Sequence, residues 1–262
     1  MFETRTWRSR LTLQLVVTVA VVPFLIPLVA MLTTSLTGAG WNNYAAVLRV
    51  PGLPRFFLNS AVVAVGAVAI MYLATMAAAF GFSKLRVRGK EVYFWLMMAA
   101  LTLPEVVLIA PLYTTAVELG MLGTYWSVIL PIAALQIPFT VLLARGFVDG
   151  IPDTLFEAAR IDGAGTARLF RSVLLPMARP MAVALVVLVF INAWNSYLLP
   201  KVFLIDDSMG VVTLLPEFFR RQYNDDTPKI LAASLITALP TIIAYILLQK
   251  QFERGMAAGA IK

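Results

Sequence analysis

The residues of this chain best suited to a specific task lie between Glu157 and Pro176, which read EAARIDGAGTARLFRSVLLP. The chemistry they offer is recognition of another protein rather than catalysis. An apolar face made by Leu155, Phe156 and Ala159 ends at Asp162 and Gly163, and a second short amphipathic run follows at Leu169, Phe170, Val173 and Leu174. Pro152 is well placed to open the first helix, and Asp153 and Glu157 put negative charge on its early turns. Gly163 can take the left-handed conformation that ends it, Thr166 can cap the next helix, and Pro176 can stop that run. Two short helices joined at a glycine elbow make a docking knob. An ordinary interfacial amphipathic stretch between two membrane spans fits the same residues, and they leave both readings open.

Most familiar catalytic chemistry is missing. The chain has no cysteine and no histidine, so it has no disulfide frame, no thiolate metal site and no imidazole base. No GxxxxGK[ST] phosphate loop occurs; GAGTARLF lacks the lysine and the spacing. No HExxH or GxSxG pattern stands out. If ATP drives this protein, another chain must bind the ATP and its Mg; no cofactor is expected on this one. The net charge of +7 lies in short patches between apolar runs, which points to membrane topology and not to nucleic acid.

Few polar residues fall at membrane depth. Glu105, after Pro104, is the one embedded acid, and its insertion in ionised form costs about 3 kcal/mol. It faces a cavity, is protonated, or marks a broken helix end near the interface. Asn192, Trp194, Asn195 and Tyr197 cluster before Pro200. They line a substrate path or form an aromatic belt, with Trp194 and Tyr197 leaning to the belt and Asn195 to packing or the path. A segment at 200–228 mixes Phe218, Phe219, Arg220, Arg221 and Tyr223 with acids. Aromatic residues with arginine suit a protein contact, and a solvated loop with interfacial aromatics fits equally well.

The elements that must position these residues are membrane helices. Apolar residues make up 60% of the chain, against about half in soluble domains; mean hydropathy is +0.85. Six runs are long enough to cross ~30 Å of hydrocarbon: about 11–32, 59–82, 92–113, 124–145, 178–199 and 229–249. Pro111, Pro131 and Pro138 fall in or near them and imply kinks. Of the 21 Lys and Arg, 15 fall at the termini, at 84–90, at 145–179 and at 250–262, and six fall on the other side. The positive-inside rule then places both termini and the 146–177 loop in the cytoplasm. Arg5, Arg8 and Arg10 start the chain, but the apolar run that follows is longer than a signal core and lacks a small-x-small site, so it reads as a retained span. No internal repeat or soluble linker interrupts what reads as one membrane domain, 1–262.

EAARIDGAG followed by LLP and preceded by GFVDGIPDTLF resembles the EAA signature of the membrane subunits of bacterial ABC importers. WNNYAAVL, FFLNS, FSKLRVRGK, LGMLGTYWSVILP, NAWNSYLLP and GMAAGAIK are similar to the carbohydrate-importing branch, in particular the second permease of maltose-type transporters. The resemblance implies an all-α, six-spanning type I importer fold with a cytoplasmic coupling helix at about 153–163. It implies that Glu157 bonds to a cytoplasmic ATPase subunit, that Ala158 and Ala159 allow close approach, and that Asp162 and Gly163 make the turn. Two ATPase subunits would then drive this permease and a second, homologous one, as a heterodimer, between inward- and outward-facing states. An external sugar-binding protein would meet the 200–228 segment, and the tail at 251–262 would touch the ATPase. Glu105, Asn192, Asn195 and Tyr197 remain lining candidates. Ala164-Gly165-Thr166 stands where Ala-Ser is frequent in the family. A secondary carrier or channel without an ATPase is the alternative, and the lack of embedded charges argues against it. The expected location is the bacterial inner membrane.

Overall fold

A computed structural model describes residues 7–220 and 225–260. Among the described residues the regular structure is entirely helical. The main helices are α1 (Trp7–Ser35), α2 (Asn42–Leu48), α3 (Leu53–Lys84), α4 (Lys90–Ala99), α5 (Glu105–Glu118), α6 (Trp126–Asp149) and α7 (Asp153–Ile161). They are followed by α8 (Thr166–Met177), α9 (Arg179–Trp194), α10 (Leu198–Phe203) and α11 (Thr227–Ala260). Among the described residues four helices are long and apolar enough to cross a membrane, and the number rises to six if each of two bent pairs is one span.

The first run continues past its expected end because Thr33 and Ser35 bond back to the carbonyls of Val29 and Leu32. The third and fifth runs are not the continuous helices expected. Lys90–Thr102 and Glu105–Glu118 meet at 106°. Leu103 precedes Pro104 and is extended (φ −87°, ψ 118°), because proline's Cδ disfavours the α region for the residue before it. The expected span 178–199 closes at Trp194, where Asn195 caps the helix and its Nδ2 donates to the Ile191 carbonyl at 2.9 Å. At its other end it meets α8 at 77°.

The helices gather into two compact units, 1–51 with 215–237 and 52–214 with 238–262. In the first, Ser35 Oγ and Tyr44 Oη lie 2.6 Å apart, and Asn43 Nδ2 donates to the carbonyls of Ser35 and Thr37. Helix α1 is apolar on all sides and almost wholly exposed, which suits lipid or further helices around it.

The second unit is built on the seam between α3 and α6. Lipid is as apolar as leucine, so helices pair there by close packing and interhelical hydrogen bonds. Small residues make the approach possible: Ala64, Ala67 and Ala133 are fully buried, and a Cβ on Gly66 would lie 2.8 Å from Ile129 Cδ1. Thr140 turns its hydroxyl to the carbonyls of its own preceding turn, so Thr75 donates to it across the seam at 2.7 Å. One apolar cluster joins the first halves of α3 and α6 to α10; another joins their second halves to α7, α8 and α9.

Asn59 ties the first cluster to the chain 149 residues away. Its Nδ2 donates to the carbonyls of Ser208 (3.0 Å) and Gly210 (2.8 Å), and its Oδ1 accepts from Tyr125 Oη at 2.7 Å. Replacing it with Ala strands three polar groups and is expected to cost about 2 kcal/mol. Thr75→Val, which breaks one interhelical bond, should cost nearer ~0.6 kcal/mol. Thermal unfolding of the purified transporter should rank the two in that order.

Candidate functional site

Helix α7 stands out first. Pro152 sits at its N-cap, extended at φ −56° and ψ 131°, and Asp153 lies in the first turn. Asp162 is the C-cap and Gly163 follows at φ +79°, where a side chain would be strained. The Gly163 amide bonds to the Arg160 carbonyl and the Ala164 amide to that of Ala159, which is a Schellman ending. The elbow expected at this glycine is therefore present.

The helix has one face in and one out. Phe156 is 2% exposed and packs with Phe80, which also meets Phe170. Ala159 and Ala164 join the same cluster, so α7 shares its core with the second halves of α3 and α6. Glu157, Ala158, Ile161, Asp162 and Gly163 are exposed, and Ile161 is 86% so. Glu157 makes no hydrogen bond or ion pair among the described residues. An acid and a bare isoleucine thus lie on the surface of a helix whose back is locked.

The lock is Lys84, which composition marked only as a topology charge. Its side chain is 6% exposed at the end of α3. The ammonium donates to the Ile151 carbonyl and to Asp153 Oδ1, both at 2.7 Å, and sits 5.3 Å from the centre of the Phe156 ring. The lysine bond holds the Asp153 carboxyl below its ordinary value of 3.8. A lowered carboxyl stabilises the fold above that value and loses its contribution as pH falls through the folded one, so the carboxylate's share of the clamp is fully present above about pH 4 and is lost in acid. Lys84 and Asp153 are 69 residues apart, and no local pattern links them. Arg145 makes a similar staple to Glu91 at 2.6 Å, over the Phe94 ring at 4.2 Å.

Two expectations for the second short helix fail. The N-cap of α8 is Gly165, and the Thr166 side chain makes no cap bond. Pro176 does not stop the run: residues Leu169–Leu174 wind as a π-helix, and the chain passes through the proline to Met177. A wider turn ahead of a proline eases the clash between its ring and the backbone behind it. The direction changes at Ala178 instead, and α9 begins there.

Helix α9 leads to the second group of candidates. Glu105, Asn192, Asn195 and Tyr197 line one cavity of about 560 Å³, together with Ser196 and the apolar residues Val106, Leu188, Ile191 and Leu198. The break at Leu103-Pro104 puts Glu105 on the first turn of α5, so both sequence alternatives for it hold together: it is a helix-end acid and it faces a cavity. Tyr197 opens α10, and its hydroxyl accepts from Lys201 Nζ at 2.6 Å. Trp194 is 5% exposed and packs on Phe190 and Phe57, so it is a core residue and not part of a belt. Ser196 was missed because nothing distinguishes it from a loop serine until the helix end is placed.

In the third group, Phe218 and Arg220 are exposed and Phe219 is half-buried, its carbonyl accepting from the Asp226 amide. Glu217 lies 3.9 Å from Arg220. Arg221 and Tyr223 lie outside the described residues.

Comparison with known proteins agrees with this architecture. A solved chain from a bacterial ABC transporter involved in import of the acidic polysaccharide alginate shares the fold, with a TM-score of 0.78 at 20% identity over 96% of this chain and 99% of that one. The probable ABC transporter permease protein YurM of Bacillus subtilis strain 168 is 34% identical over 86% of this chain and 72% of its own length. The melibiose/raffinose/stachyose import permease protein MelC of the same organism is 28% identical over 98% of both chains. Residues 66–257 match the model of the family described as binding-protein-dependent transport system inner membrane component. The chain belongs to that family, and is a multi-pass membrane permease of binding-protein-dependent transport.

Proposed function

We propose that this chain forms half of the translocation path of an ATP-driven sugar importer and takes its power through α7. The observation that carries the reading is α9. Its first half (Met181, Ala182, Leu185) is buried with Phe156 of the docking helix, and its second half (Leu188, Ile191, Asn192) lines the polar cavity. A helix of 16 residues spans ~24 Å, so one stiff element joins the docking face to the cavity. Movement imposed on α7 reaches the cavity without a flexible joint between.

The partners follow from this geometry and from the family. The exposed Glu157, Ala158, Ala159 edge, Asp162 and Gly163 dock on one of two cytoplasmic ATPase subunits, which bind ATP and Mg. A second, homologous permease completes the path, both termini face the cytoplasm, and a sugar-binding protein docks outside at Phe218, Phe219, Arg220, Arg221 and Tyr223. The sugar assignment is supported by MelC, named for melibiose, raffinose and stachyose import. Glu105, Asn192, Asn195 and Tyr197 offer the carboxylate, amides and hydroxyl that bind sugar hydroxyls.

Reconstituted transporters test the docking face. Glu157→Lys should reduce uptake and binding-protein-stimulated ATP hydrolysis together by roughly tenfold or more; unchanged hydrolysis would show that α7 is not the joint. Lys84→Met should leave the protein folded, since the carboxylate left behind, Asp153, is 75% exposed and stays hydrated. It should nevertheless lower uptake per ATP hydrolysed by roughly fivefold, because α7 loses charge-assisted bonds at its first turn. Phe218→Ala should weaken docking of the binding protein by roughly tenfold with basal hydrolysis unaltered, as for an aromatic anchor.

A further inference from the structure

The cavity that carries Glu105 has a definite electrical character. The N-terminus of α5, a helix of 14 residues, opens onto it through Glu105 and Val106. Unaided, that end would favour an anion, with about half a positive charge on its free amides. Glu105 stands in the first turn and places a full negative charge in the same place. No Lys or Arg is among the residues that line the cavity. Lys201 is one turn beyond Tyr197, with its ammonium on the Tyr197 hydroxyl and 5.0 Å from that ring's centre, and it is not part of the lining.

The remaining polar groups suit uncharged hydroxyls. Neither the Glu105 carboxylate nor the Asn192 side-chain amide makes a hydrogen bond or ion pair among the described residues, and both line the cavity. A carboxylate accepts from two adjacent hydroxyls, and a free amide both donates and accepts. A uronate or phosphate brought to the same place would meet Glu105 as a like charge with no arginine to offset it.

We propose that Glu105 is a charge filter, so that the cavity admits neutral saccharides and turns away anionic ones. This rests on reading the cavity as part of the translocation path. It would set the chain apart from the solved alginate transporter, described as importing an acidic polysaccharide, and from the sn-glycerol-3-phosphate permease UgpE of Salmonella typhi, and group it with MelC.

The absence of cysteine from the chain makes the filter directly measurable. Ser196→Cys, with Leu198→Cys as a second position, puts a single thiol of this chain on the cavity wall. The complete transporter in lipid nanodiscs is then labelled with methanethiosulfonates that are uncharged, cationic (trimethylammonioethyl) or anionic (sulfonatoethyl). Rates are normalised to those with a free thiol and labelling is read on this chain. The cationic reagent should react roughly tenfold faster than the anionic one, Glu105→Gln should bring the ratio to about one, and Glu105→Lys should invert it. Labelling by the uncharged reagent with no charge preference, or a preference that survives Glu105→Gln, overturns the filter and leaves the path reading intact. If the uncharged reagent labels neither thiol, solute does not reach the cavity, and the path reading falls with the filter.

Discussion

Hydrocarbon offers no partner to a backbone amide or carbonyl, and that constraint organises everything else in this protein. A chain inside the bilayer can leave the helix only where other protein groups, or water in a cavity, take over the freed backbone. Each place where a helix breaks here is accordingly a place with a task. The break at Leu103-Pro104 delivers Glu105 to a cavity. The end of α9 at Asn195 builds the opposite wall, with the asparagine side chain taking the Ile191 carbonyl. The bend at Ala178 turns the chain from α8 into α9, and Gly163 turns it out of α7. Asn59 performs the corresponding service for the carbonyls of Ser208 and Gly210.

The docking helix combines two opposite uses of charge. Lys84 is buried with two oxygen acceptors and an aromatic face around it, so it holds α7 from behind. Glu157 and Asp162 are exposed in front, where screening makes them weak contributors to this chain's own stability. The same division holds for the apolar residues: Phe156 is fixed inside while Ile161 is left outside. A surface that retains an uncovered isoleucine beside an unpaired acid is poor for solubility and good for a protein contact.

Much of this was legible in the sequence, and the limits have physical causes. Long apolar runs located the four helices long enough to cross a bilayer among the described residues, because crossing is a length requirement that composition can meet or fail. Helix α7 was legible with its ends, since Pro152 and Gly163 act on the backbone locally. Continuity of the spans was not: proline disfavours the helix at every one of these positions, yet the chain breaks at Pro104 and passes through Pro111, Pro131, Pro138 and Pro176, and the sequence around each does not tell which. Trp194 was misplaced for a related reason. A tryptophan at the end of an apolar run satisfies an interfacial belt and a packed core equally well, and only the positions of Phe57 and Phe190 separate them. Lys84 was legible as a charge but not as a clamp, since its partners arrive from 67 and 69 residues away.

A lever transmits displacement only if its ends are held more firmly than its surroundings yield. At the docking end, Met181 and Leu185 of α9 are packed among Met71, Phe80 and Phe156, with no buried side-chain polar atom left unpaired among the described residues. At the cavity end, Ala193 and Trp194 are held in the other cluster, while Asn192 and Asn195 lie on the exposed side. The helix is thus gripped along one flank by apolar contacts and free along the other, and its free flank is polar. Glu105 of α5 and the amides of Asn192 and Asn195 line one cavity across from each other. In the function proposed above, the groups that would meet a solute stand on the two helix ends whose separation α7 would alter.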